Sequence, residues 1–134
     1  MLSLIGHGID LIEIDKVAQL LADPESDFCA RCFTETEQAD ARDMPDRVMR
    51  LAGRFAAKEA VAKALGTGFD GKVGPLDIEI VNRPSGEPFV TLHWAATEVA
   101  MRLGIGDWLL SISHSNTMAV ASAIALGPGR AHRW

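Results

Sequence analysis

Two carboxylates and a lysine are the residues in this sequence whose types and spacing most readily do chemistry: Asp10, Glu59 and Lys63. Glu59 lies in Arg54-Phe55-Ala56-Ala57-Lys58-Glu59-Ala60-Val61-Ala62-Lys63, one helical turn before Lys63. Met44, Val48, Leu51, Phe55, Glu59 and Ala62 recur at spacings of three or four, a helical stripe that is apolar except for Glu59. A carboxylate on a core-facing stripe is costly unless a cation or hydrogen bonds compensate it. The same Glu–Lys spacing also describes a solvated helix pair, and the position on the stripe favours a site. Asp10 closes an apolar run and follows Gly6 and Gly8 in strand phase. Glycines there leave one face bare, so a ligand or another backbone can come close. An aspartate at this point can equally cap the next helix. A strand carboxylate beside a helix carboxylate suits a hard cation such as Mg²⁺, which takes one or two carboxylates and completes its shell with water and phosphate oxygens. Lys63 can donate to that phosphate, and the backbone N–H groups of Gly66-Thr67-Gly68 can receive an anion.

A second polar cluster is Ser111-Ile112-Ser113-His114-Ser115. Hydroxyls and an imidazole together can hold a phosphate or take part in nucleophilic chemistry. With no Gly-x-Ser-x-Gly elbow and no evident acid partner, a serine hydrolase is disfavoured. His7 and His93 read as incidental polar positions, and His132 falls in the tail. Cys29 and Cys32 form a CxxC, which can be half a zinc site or a redox pair. No second pair follows at metal spacing, so two ordinary thiols near a helix is the favoured reading.

The elements that must position these residues alternate along the chain. Leu2 to Leu11 reads as a strand, and Ile12 to Ala22 as a helix stopped by Asp23-Pro24. Thr34-Glu35-Thr36-Glu37 matches a capping box opening a short helix. Pro45 suits the first turn of a long helix reaching Leu65, closed by Gly66. Leu76, Ile78 and Ile80 alternate with acids as a half-buried strand, which Asn82-Arg83-Pro84-Ser85-Gly86 turns into a second strand around Phe89 to Leu92. Ala95 to Leu103 reads as a helix ended by Gly104, and Trp108 to His114 and Thr117 to Leu126 as strands joined across Ser115-Asn116. Strands and helices mix without strict βαβ alternation, so the class is α+β, with a small antiparallel sheet and one long helix. The 134 residues are expected to form a single domain over 1–126, with a loose tail at 127–134. A net charge of −5 argues against nucleic acid, and the absence of a signal-like or membrane-length apolar run makes a cytoplasmic location the expectation.

Three segments, in this order, resemble the holo-acyl-carrier-protein synthase family of 4′-phosphopantetheinyl transferases. They are Gly8-Ile9-Asp10-Leu11-Ile12-Glu13-Ile14, Phe55 through Gly68 with its Lys-Glu-Ala-x-x-Lys element, and Ser111-Ile112-Ser113-His114. The resemblance implies transfer of 4′-phosphopantetheine from coenzyme A to a serine of apo acyl carrier protein, releasing adenosine 3′,5′-bisphosphate in support of fatty acid biosynthesis. It further implies a homotrimer with active sites at subunit boundaries. By the same resemblance Asp10 and Glu59 are the Mg²⁺ ligands and Lys63 the pyrophosphate contact; in the chemistry that follows, Glu59, directly or through a metal-bound water, is the candidate base. Coenzyme A would meet Arg54 and His114 at its 3′-phosphate. Gly66 and Ser113 would line its path, and the turn holding Gly86 and Pro88 would lie at the adenine.

The sequence departs from the family where the carrier would dock. An arginine usual after the Glu-aliphatic element is Lys16 here, and no other base stands between Ile12 and Asp23. Docking would then rest on Lys16 and on apolar neighbours such as Leu20. Two other classes share parts of the pattern. A non-catalytic coenzyme A-binding module would need Arg54 and His114 but not both carboxylates, and a Mg²⁺-dependent phosphohydrolase would need the carboxylates but no docking surface.

Overall fold

A computed structural model describes residues 2–128; the tail positions 129–134, His132 among them, lie outside the described residues. Strand β1 (Ser3–Glu13) leads into α1 (Ile14–Ala22), and two short helices follow, α2 (Phe28–Cys32) and α3 (Glu35–Ala41). The long helix α4 (Arg47–Ala64) then crosses the molecule. A 3-10 turn (Pro75–Asp77) precedes the hairpin β2 (Ile78–Asn82) and β3 (Pro88–Leu92), then α5 (Trp94–Leu103) and a last pair, β4 (Asp107–His114) and β5 (Met118–Gly127). The larger sheet is antiparallel in the order β1-β5-β4, and β2-β3 form a separate pair.

Small residues set the packing. The inward positions of β5 are Ala119, Ala121, Ala123 and Ala125, all buried, and α4 meets them with Ala56, Ala57, Ala60 and Ala64. A Cβ on Gly6 would overlap the Ala64 carbonyl oxygen, and one on Gly8 the Ala60 carbonyl oxygen. The bare face of β1 therefore admits another backbone, that of α4, rather than a ligand. Four helix residues rise about 6 Å and two strand residues about 6.6 Å, so β1 and α4 stay in step as they run past each other. A second core forms where Phe28 packs on Phe33 and Phe55, at centroid distances of 5.6 and 5.3 Å. The outward face of the larger sheet is apolar and open: Ile9, Leu11 and Leu109 are 58%, 61% and 56% exposed.

Several boundaries differ from the sequence reading. β1 runs on through Ile12 and Glu13, which pair with Ala119 and Met118, so α1 starts only at Ile14. Asp10 is thus within the strand, and the position before α1 is Glu13, without a side-chain cap; Asp10 is not a helix cap. α2 was not anticipated, because five residues carry too little periodicity and the burial of Phe28 and Cys32 holds them. α4 begins at Arg47 after Asp46, leaving Pro45 and the exposed Met44 outside it. Leu76 belongs to the 3-10 turn rather than to β2. The last hairpin turns over Ser115 to Thr117, where the Ser115 hydroxyl accepts from the N–H groups of Thr117 and Met118.

The stripe on α4 also needs correction. The helix is buried on most sides, and Phe55 and Glu59 are only half-buried. Among the described residues the fully buried charges are Lys58, on this helix, and Glu37, on α3. The capping box at Thr34 forms as expected: Glu37 N–H donates to the Thr34 hydroxyl, and the Thr34 N–H donates to the Glu37 carboxylate.

Candidate functional site

Gly8, Asp10 and Ile12 share the inward face of β1, so the contact of Gly8 with Ala60 fixes what Asp10 meets. Lys63 reaches across and donates to Asp10 Oδ1 and to the Ile9 carbonyl oxygen, each at 3.0 Å. This cross-element pair forms in place of a Glu59–Lys63 helix pair. Glu59 sits half-buried beside them. Burial pushes its carboxyl above the ordinary range, the charge of Asp10 adds to that, and Lys63 pulls the other way. The charges of Asp10 and Lys63 are thus both felt at Glu59, while the one ion pair formed is that of Lys63 with Asp10. No group of three or more His, Cys, Asp or Glu side chains suited to a metal occurs among the described residues. Such a donor set fits a hard cation that takes one or two carboxylates and draws its remaining oxygens from phosphate and water, and does not fit a closed structural metal.

The loop after α4 corrects one expectation. The N–H of Gly66 donates to the Lys63 carbonyl, and those of Thr67 and Gly68 to the Ala62 carbonyl, at 2.9, 3.2 and 3.1 Å. These groups close the helix, with Gly66 at φ +84°, and do not form an anion nest. Gly66 keeps only its place beside Lys63.

A second locus lies at the other end of α4. Arg54 and His114 line one cavity of about 160 Å³, together with Arg50, Asp46 and Asn82. Arg54 is almost fully buried and donates through Nε to the Ile80 carbonyl oxygen at 3.2 Å. Its Nη2 is buried without a hydrogen bond, 3.7 Å from Asp40 Oδ2. Burial works against the guanidinium charge, while Asp40 and Glu37 favour it. A buried guanidinium with an unused donor on a cavity wall is suited to an anion. Arg50 and Asp46, an ion pair at 2.9 Å, escaped the sequence reading because exposed i,i+4 pairs are common on helices.

Ser113 does not join His114. Successive strand residues point to opposite faces, so Ser113 lies with Ser111 on the outward side while His114 follows Ile112 to the cavity. Gly86, at φ +91°, makes the exposed β2-β3 turn, and Pro88 pairs with Asn82 at the cavity's margin. Lys16 and Leu20 are exposed on α1, as docking would require, and α1 has no basic residue in its last turn. Cys29 and Cys32 are free on α2, and burial pushes the Cys32 thiol's pKa up.

Within one chain the two loci stay apart. Arg54 and Lys63 are nine residues apart on α4, roughly 13 Å along its axis. The depression at Asp10 and Lys63 is bounded by Ile9, Leu11 and Val120, none of which lines the Arg54 cavity.

Comparison with known proteins places this arrangement. Residues 6–120 match the profile of the 4′-phosphopantetheinyl transferase superfamily. A holo-[acyl-carrier-protein] synthase of Desulforudis audaxviator is 42% identical over 130 residues, covering 97% of this chain and 98% of its own. One from Gloeobacter violaceus is 45% identical over 121 residues, covering 90% and 91%. Among solved structures, the Neisseria meningitidis holo-[acyl-carrier-protein] synthase superposes with a TM-score of 0.83 at 31% identity, covering 92% of this chain and 98% of its own. The Bacillus anthracis enzyme, solved in complex with CoA (3′,5′-ADP), gives 0.77 at 35% identity, covering 92% and 97%.

Proposed function

The chain belongs to the 4′-phosphopantetheinyl transferase superfamily and transfers phosphopantetheine from coenzyme A to apo acyl carrier protein, and we propose how its residues divide that work. The carrying observation is the contact of Lys63 with Asp10 beside a partly desolvated Glu59. In this reading Asp10 and Glu59 hold Mg²⁺, which supplies charge neutralisation for the pyrophosphate of coenzyme A when bound. Lys63 leaves Asp10 for the pyrophosphate and stabilises the charge that builds on the departing adenosine 3′,5′-bisphosphate. A carrier serine oxygen attacks the phosphorus bearing pantetheine; its new O–P bond forms as the bridging P–O bond breaks. Glu59 takes the serine proton. Arg54 and His114 receive the 3′-phosphate, Arg54 through the Nη2 that makes no hydrogen bond.

Because the two loci are separate in one chain, each complete site joins the Asp10 locus of one protomer to the Arg54 cavity of another. The depression at Asp10 opens along edge strand β1 onto Ile9 and Leu11, the apolar face that a homotrimer would bury. The carrier docks on α1 through Lys16 and Leu20. Supply of holo carrier to fatty acid biosynthesis in the cytoplasm is part of the same proposal. The test is intact-mass measurement of apo carrier protein after incubation with coenzyme A and Mg²⁺. One phosphopantetheine adduct per carrier is expected. Cleavage of coenzyme A with the carrier unmodified would mark a phosphohydrolase, and intact coenzyme A bound without reaction a binding module.

A further inference from the structure

We infer that the buried Glu37–Lys58 ion pair is a positioning device for Arg54, acting through the main chain of Ile80. The inference rests on the proposed role of Arg54 at the 3′-phosphate of coenzyme A. Lys58 Nζ lies 2.6 Å from Glu37 Oε1 and donates to the Pro75 carbonyl oxygen at 2.8 Å, and neither charged side chain is exposed. Glu37 Oε2 accepts the Ile80 N–H at 2.8 Å. The Ile80 carbonyl in turn accepts Arg54 Nε. Ile80 is opposite Val90 in the antiparallel β2-β3 pair, where one residue's N–H and C=O point to the same side. Both of these Ile80 groups therefore face the edge away from β3, and side chains cover it where a neighbouring strand would be.

Lys58 and Arg54 stand one turn apart on α4, so a single helix face holds Ile80 of β2 through Arg54 and the preceding 3-10 turn at Pro75 through Lys58. Glu37 fixes where the Ile80 main chain sits, and that fixes the acceptor orienting Arg54. An apolar pair of similar volume would avoid the desolvation of two charges, which is considerable. It would also leave the Ile80 N–H, and the Thr34 N–H of the capping box, without an acceptor, and β2 free to shift. Nothing in the proposed chemistry uses either Glu37 or Lys58 directly. The pair acts on the reaction only through the guanidinium it aligns.

The experiment compares kcat/KM for coenzyme A and for 3′-dephospho-coenzyme A in Arg54→Ala, in the apolar replacement Glu37→Leu/Lys58→Met, and in the three-site combination. Loss of one charge-assisted contact lowers the preference for the phosphorylated donor about tenfold. Arg54→Ala should show that loss, and so should the apolar replacement, with KM for coenzyme A raised by a larger factor than KM for dephospho-coenzyme A. The combination should lose no more than Arg54→Ala alone. Glu37→Gln/Lys58→Met, which keeps one oxygen for the Ile80 and Thr34 N–H groups to share, should recover part of the preference. It also serves as the reporter should the apolar variant fail to fold, still with a smaller preference than wild type. If Arg54→Ala keeps the full preference, the underlying reading of Arg54 fails. If Arg54→Ala loses it while the pair variants keep it, or slow both donors equally, the positioning inference is overturned.

Discussion

Replacing Gly8 with alanine tests the link between packing and chemistry. Besides overlapping the Ala60 carbonyl oxygen, the added Cβ would lie 2.9 Å from Ala60 C and from Ala64 N. Ordinary contact begins near 3.4 Å, and backbone atoms, unlike a side-chain tip, cannot swing aside. Strand and helix must part by on the order of 1 Å to relieve the overlap. Asp10 rides on the strand two residues along, and Glu59 and Lys63 ride on the helix, so the same movement widens their separation. Overpacking of this kind costs about 1–3 kcal/mol of stability, and a displacement of about 1 Å at reacting groups can cost ~100-fold in rate. Gly8→Ala should therefore lower turnover far more than it lowers the fraction folded at the assay temperature. Gly71→Ala, whose Cβ meets nothing within 4 Å, serves as the control and should behave as wild type. Phosphopantetheinyl transfer followed by mass, beside a thermal melt, reads both quantities. A Gly8→Ala protein with wild-type turnover would show that close contact of β1 with α4 does not set the carboxylate geometry.

Glu59→Gln should abolish most turnover yet raise the melting temperature of the metal-free protein near neutral pH. The folded pKa of Glu59 lies above the unfolded value of about 4.3, so its favourable contribution is present below that value and lost as pH rises through the folded pKa. The gain on substitution should shrink as pH falls toward the unfolded value, and a variant less stable than wild type near neutrality would contradict the assignment. Asp10→Asn should also be inactive, with wild-type activity lost in chelator and restored by Mg²⁺ or Mn²⁺; full activity in chelator excludes the metal. Co-expression of Asp10→Asn with His114→Ala should restore activity by pairing intact halves, at about a quarter of the interfaces for random mixing. Two inactive variants that stay inactive in a mixed trimer would refute shared sites. Carrier KM should depend weakly on salt and rise in Lys16→Glu, because Lys16 is the one basic residue of α1, beside Asp15, and an exposed pair contributes about 1 kcal/mol or less. A steep salt dependence that persists in Lys16→Ala would place docking on another surface.

What the sequence determined by itself follows from short-range rules. The Thr34–Glu37 capping box, the glycine ends of α4 and α5, and the alternation in β4 and β5 are local, and the structure has them. Asp10, Glu59 and Lys63 were legible too, because carboxylates beside small and apolar residues stand out in a linear reading. The tertiary structure alone decided how these residues are used. Lys63 pairs with Asp10 from a distant strand rather than with Glu59 on its own helix, since the approach of α4 over Gly6 and Gly8 brings the strand within reach. The stripe that made Glu59 look like a core residue misled, because α4 is covered on most sides and helical period no longer distinguishes in from out. The Glu37–Lys58 pair left no signal in either segment, being twenty-one positions apart and each ordinary in its own helix. Only packing, which removes both from water and obliges each to find the other, gives them a role.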